Sequence, residues 1–195
     1  PFRIGLQRKN RRCIIQIYSR AAGIWKTIFG SIKQVYKSKF VEKEKLMTGE
    51  KMWQDYCLST NTDINTKHDT WKFCGGGEFA DQLANLVLSG TKTATASTRI
   101  SYETEGEELP RVGTYSVILF DNNVAACIIQ NVKVSIVPFN QVSAEHAFKE
   151  GEDDRSLEKW REVHQRAFTP DYKAIGLDFD ENGDCVLEEF EVVYY

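Results

Sequence analysis

"DQLANLVLSGTKTATAS", residues 81–97, changes character at its middle. Leu83, Leu86 and Val87 share one helical face with the preceding Phe79, at spacings of three and four. Gly90 follows where a C-terminal cap belongs, because glycine takes the left-handed turn without a Cβ clash. Beyond it "TATASTRIS" (93–101) reads as extended, and Lys92 stands alone among small hydroxyl-bearing residues. A packed core gains little from Thr and Ser. A site uses their hydroxyls as nucleophiles, donors and acceptors.

Upstream, Met52–Leu58 reads as a short helix, 59–70 as polar loop, and "WKFCGGG" (71–77) as a short strand entering a glycine turn. Downstream, "EGEELPRVG" (105–113) is loop and "TYSVILF" (114–120) is a strand turned at Asp121-Asn122-Asn123. "VAACIIQNVKVSIVPF" (124–139) is one long strand or two, ended at Pro138. Ser143 caps a helix that runs to Gly151. Ser156 caps another, in which Leu157, Trp160, His164 and Phe168 align and which Thr169-Pro170 stops. "CVLEEFEVVYY" (185–195) is strand again. Strands interleaved with a few helices predict an α+β fold with a small mixed sheet or barrel.

The chain has 195 residues, 42% hydrophobic and 27% charged, enough for one domain with a real core. Its net charge of -3 is unevenly spread: residues 1–46 carry +10 and residues 47–195 carry -13. Within 1–46, Ile14, Tyr18, Ala21, Trp25, Ile28, Ile32 and Val35 line one helical face amid Lys and Arg. Three readings compete for it: a basic amphipathic helix for a membrane surface or nucleic acid, a targeting peptide, or an extension to a protein whose translation starts at Met47. The compositional break at Met47 favours the third, with residues 47–195 as the functional domain. Five cysteines without C-x-x-C fit the reduced thiols of a cytoplasmic protein. His68, His146 and His164 have no metal-ligand spacing and read as surface or packing residues. No apolar run approaches the roughly 18 residues of a membrane span.

Asp178-Phe179-Asp180-Glu181-Asn182-Gly183, with Glu189 beyond it, fits the EF-hand loop pattern letter by letter. That loop needs a helix on each side, and "FEVVYY" is β-rich, so a β-hairpin turned at Asn182-Gly183 is the expectation, with no metal. Gly75-Gly76-Gly77 precedes a helix whose free N–H groups suit an anion, but it lacks the lysine and hydroxyl of a P-loop and reads mainly as a turn. Gly90-x-Lys92-x-x-Thr95 says more. A turn across 91–94 would bring Lys92 to Thr95, where the lysine lowers the hydroxyl's pKa or, desolvated, takes its proton. The alternative is a solvated lysine on a Thr-rich edge strand. Glu150 sits in the last turn of its helix, where the dipole's negative end pushes a carboxyl pKa up. Glu152, Asp153 and Asp154 read as a solvated acidic face.

Four segments in order resemble an ASCH domain (activating signal cointegrator homology), close to the bacterial stand-alone members. They are "DQLANLVLSGTKTATAS", "LPRVGTYSVIL", "VSIVPFNQVSAEHAFKEGEDDRSLEKWREVH" and "EEFEVVYY", spanning about Trp53 to Tyr194. The resemblance implies a PUA-like small mixed β-barrel with flanking helices and a cleft suited to RNA or a nucleoside. Some small relatives are amidohydrolases that remove acetyl from acetylcytidine. They use the motif's lysine and threonine with a glutamate from the later helix. Lys92 and Thr95 match the first two, and the spacing from His146 makes Glu150 the third.

Two functions follow. In a hydrolase, Thr95 attacks the amide carbon of an acylated cytidine, Lys92 activates it and steadies the oxyanion, and Glu150 protonates the leaving amine and then activates water, without metal or cofactor. In a non-catalytic module, a groove reads RNA, with Lys92, Arg99 and Arg111 on phosphates. Gly90, Arg99 and Arg111 are the candidate ligand-binding residues. A domain of -13 repels a polyanion, so a small nucleoside is expected before RNA, DNA is not expected, and a membrane enters only through 1–46.

Overall fold

The apolar run 125–138 is a single strand, β4 (Ala125–Pro138), and both faces of its first half are buried. The computed structural model that shows this describes residues 47–195; the amphipathic periodicity within 1–46 lies outside them. Five strands form one sheet in the order β1-β3-β4-β5-β2. β1 (His68–Trp71) runs parallel to β3 (Tyr115–Leu119), while β3, β4, β5 (Asp184–Tyr194) and β2 (Ala94–Thr98) are antiparallel in turn. Extra residues in the β4–β5 register, at Ile128/Ile129 and at Asn131/Lys133, add local twist.

Five α-helices of the described residues cover the sheet: α1 (Gly49–Thr60), α2 (Glu78–Leu88), α3 (Arg99–Glu105), α4 (Ala144–Glu150) and α5 (Leu157–Ala174). Neighbouring strand residues point to opposite faces, so Val117 and Ile128 pack under α1 while Ile118, Cys127 and Ile129 pack under α2. A third cluster joins Ala147 of α4 and Trp160 and Phe168 of α5 to Cys185 and Leu187 of β5. Burial pushes the Cys127 and Cys185 thiols up to about 12, and both act as small apolar core residues. Among the described residues no helix is long and apolar enough to cross a membrane.

The α+β class is as expected, but the barrel is not formed. Among the described residues the sheet is open: β1 and β2, four and five residues long, are its two edges and pair only inward. A barrel needs staggered pairing all the way round; here helices cover both faces instead. Three local expectations also change. The extended run ends at Thr98, whose Oγ1 accepts from Ser101 N at 3.2 Å and starts α3. Pro170 lies inside α5 rather than ending it, because buried Tyr172 and a 2.6 Å bond from Thr98 Oγ1 to Asp171 Oδ2 hold the last turn in place. The Asn182-Gly183 turn exists, with Gly183 N donating to Asp180 O at 3.0 Å, but no strand enters it. It is a loop end, tied to β4's exit through Phe139 N to Gly183 O at 2.9 Å, and not a β-hairpin.

Candidate active site around a buried lysine

α2 ends where the sequence places its cap: Gly90 has φ +73, and Leu86 O accepts from Thr91 N at 2.9 Å and Lys92 N at 3.0 Å. The chain is then clamped from both sides. Thr93 N donates to Lys149 O at 2.8 Å on α4, and Thr93 O accepts from Phe190 N at 2.9 Å on β5. Gly151, which caps α4 with φ +74, sits against this loop so closely that a Cβ there would lie 2.5 Å from Thr91 O. The missing Cβ of Gly151 is therefore what lets the helix end and the loop meet.

The clamp carries Lys92 inward. Its side chain is 1% exposed, with Nζ 3.1 Å from Glu150 Oε2 and 2.7 Å from Glu152 Oε1. Nζ also lies 5.4 Å from the centre of the Phe73 ring. Glu150 Oε1 accepts from Trp160 Nε1 at 2.6 Å. His146 Nε2 is 3.3 Å away and His164 Nε2 3.5 Å away. His146 Nε2 is nonetheless the one buried side-chain nitrogen without a hydrogen bond among the described residues. A shallow depression lined by Glu152, Asp153, Lys159, Trp160 and His164 opens beside this group.

These contacts fix the charges. Burial alone would lower the Lys92 pKa, but the carboxylates of Glu152 and Glu150 outweigh it and raise it above the ordinary lysine value. Burial alone would raise the Glu150 pKa; the Lys92 ammonium, then His164, hold it well below the ordinary carboxylate range. The expected upward push from the helix end is therefore overridden. His164 Nδ1 lies 3.0 Å from Trp160 O, a contact that places a proton on that nitrogen, so its Nε2 meets Glu150 best as an imidazolium. Burial opposes that charge, Glu150 favours it, and the net shift is upward. Lys92 is thus a fixed positive charge and not a base that takes a proton from Thr95. Glu150, held ionised between the Lys92 ammonium, the Trp160 N–H and His164, is an anchor and a poor base.

The sign of the pH dependence follows. A group with a raised folded pKa stabilises fully below its unfolded value and loses that contribution as pH rises through the folded one. The melting temperature should therefore fall as pH rises from about 6.5, the unfolded histidine value, through the raised His164 value. His164→Phe, which keeps the stacking on Trp160, should flatten that fall. A wild-type curve flat across this range would contradict the imidazolium.

The structure joins Lys92 to Glu150 and adds three residues not expected there. Glu152, read as solvated, is a direct Lys92 partner, and His146 and His164, read as packing, flank Glu150. The i, i+4 spacings of His146 to Glu150 and Trp160 to His164 were the available signal. Thr95 lies half-buried on edge strand β2, and among the described residues none of Lys92's hydrogen bonds goes to it. Arg99 pairs at the surface with Glu103 and Asp184, and Arg111 is exposed beside Glu108. The Gly75–Gly77 loop already has an anion: Gly77 N donates to Asp121 Oδ1 at 2.7 Å.

A model of the ASCH domain matches residues 69–194. Among solved structures, an ASCH domain from Lactobacillus crispatus is 33% identical with a TM-score of 0.71, over 75% of this chain and 94% of that one. A protein from Enterococcus faecalis is 36% identical with a TM-score of 0.67, over 73% and 86% respectively. No curated protein matches.

Proposed function

The chain belongs to the ASCH domain family, and from that premise we propose that it hydrolyses the amide of a small acylated nucleoside, with acetylcytidine as the first candidate. The observation that carries this reading is the buried Lys92 ammonium fixed between Glu150 and Glu152. A buried ion pair is commonly no more stabilising than an apolar replacement. Perturbed ionisable groups clustered beside a depression are a mark of working sites.

In this mechanism Thr95 Oγ attacks the acyl carbon and the carbonyl oxygen takes up negative charge. The Lys92 ammonium stabilises that oxygen, supplying the positive charge without a metal. Glu150 and Glu152 keep the ammonium charged and aimed, so no reorganisation is needed as the charge develops. A neutral substrate also suits a domain of -13, which would repel an RNA strand.

The test is release of cytidine from acetylcytidine. Wild type should turn over, and Thr95→Ala should fall to background with its melting transition intact. No release by wild type, together with RNA binding that weakens steeply with salt, would replace the hydrolase by an RNA-binding module.

A further inference from the structure

Thr95 needs a proton acceptor, and Lys92, expected to activate it, is held protonated by two carboxylates, while Glu150, expected to serve the leaving amine and water, is tied to Lys92 and Trp160. The sheet supplies another carboxylate. Thr95 is the direct register partner of Glu188 across the antiparallel β2–β5 pair. Register partners share a face, with Cβ atoms about 4.5–5.5 Å apart. Glu189 pairs with Ala94 and turns to the other face, where Lys149 of α4 meets its Oε2 at 2.8 Å.

The face that Thr95 and Glu188 share is that of Phe190, whereas the carboxylates that hold Lys92 come from the α4 side. Phe190, two residues beyond Glu188, packs in one cluster with Phe73. The Lys92 ammonium stands over that same Phe73 ring. Glu188 is moreover held from behind. Asn131, only 6% exposed, donates through Nδ2 to Glu188 Oε2 at 2.6 Å and to Thr114 Oγ1 at 3.2 Å. The Thr114 hydroxyl in turn donates to Arg111 O at 2.8 Å. A buried amide with fixed donor direction thus aims a half-buried carboxylate, beside a threonine on the strand edge.

We propose that Glu188 is the general base for Thr95, an assignment that rests on the hydrolase reading. As the Thr95 Oγ–C bond forms, the hydroxyl proton passes to Glu188 and the carbonyl electron pair moves to the oxygen beside Lys92. When the intermediate collapses, the C–N bond breaks and the amine leaves with the proton from Glu188. Water then adds to the acyl-threonine and gives its proton to Glu188. The C–Oγ bond breaks, the acid is released, and the proton returns to Thr95. Lys92 keeps its charge throughout.

The test compares steady-state hydrolysis of acetylcytidine by wild type, Thr95→Ala, Glu188→Gln and Glu188→Asp. Gln keeps an acceptor for Asn131, so the network and the melting transition should survive. Glu188→Gln should lower kcat by about 10²–10⁴-fold, the usual range for a lost general base. KM should change little, and the acidic limb of the pH–rate profile should disappear. Glu188→Asp should restore part of kcat and the acidic limb with it. A kcat for Glu188→Gln within about threefold of wild type, well short of the loss expected for a base, would overturn the Glu188 assignment alone if Thr95→Ala is inactive. No turnover by wild type would overturn the hydrolase reading and this assignment together.

Discussion

Replacing Lys92 by Met will destabilise the fold by about 3–5 kcal/mol, the usual cost of leaving a buried carboxylate without its cation. Glu150 is the reason. It is 2% exposed in its side chain, comes off the last turn of α4, and loses its nearest cation when Lys92 goes. His164 remains 3.5 Å away and lightens the loss without removing it. The double variant Lys92→Met/Glu150→Gln should recover much of the stability, because a neutral amide at 150 can still accept from Trp160 Nε1. Urea denaturation of the three proteins measures both numbers. A Lys92→Met protein as stable as wild type would show that Glu150 is neutral in the fold and that the charge assignment is wrong.

Gly151→Ala is the second large effect. Left-handed backbone costs an L-residue about 1–2 kcal/mol, and Gly151 has φ +74. Here a methyl group would also sit 2.5 Å from Thr91 O and 2.8 Å from Thr91 C, both backbone atoms that cannot swing away. The loop must move, and Lys92 moves with it. Gly90 is the internal control: its φ is +73, but a Cβ there meets nothing within 4 Å. Gly90→Ala should lose only the backbone cost, whereas Gly151→Ala should lose roughly twice that or more and lose turnover besides. Equal melting temperatures for the two variants would contradict the clamp between the 91–93 loop and α4.

These two glycines also show how far the sequence could be read. Gly90 and Gly151 were legible as caps, as were Ser143 and Ser156, whose hydroxyls accept from His146 N and Lys159 N at 3.1 Å each. Caps are local chemistry, decided within one turn of helix. That Gly151 also faces Thr91 is a contact between distant segments, and nothing local announces it. The same divide explains Pro170, which local rules make a stop and which a tertiary bond to Asp171 overrides. It explains the open sheet as well, since closure depends on whether two short edge strands meet. At the site, Lys92 and Glu150 were legible through the family's motif. Glu152 was not, because an acid in a run of three reads as solvent-facing until the fold turns it onto a buried ammonium. Glu188 was hidden for another reason: in "LEEFE" either face of the strand carries a glutamate, and only the register with Thr95 selects one.

The central claim, that Thr95 carries the acyl group beside a fixed Lys92 ammonium, is tested most directly by rapid quench of the full chain with acetylcytidine, followed by mass spectrometry of its peptides. The expected result is an acetyl group on Thr95 during turnover, present in wild type and absent from Thr95→Ala. Release of cytidine with no acetyl on Thr95, or the same turnover in Thr95→Ala, would contradict it.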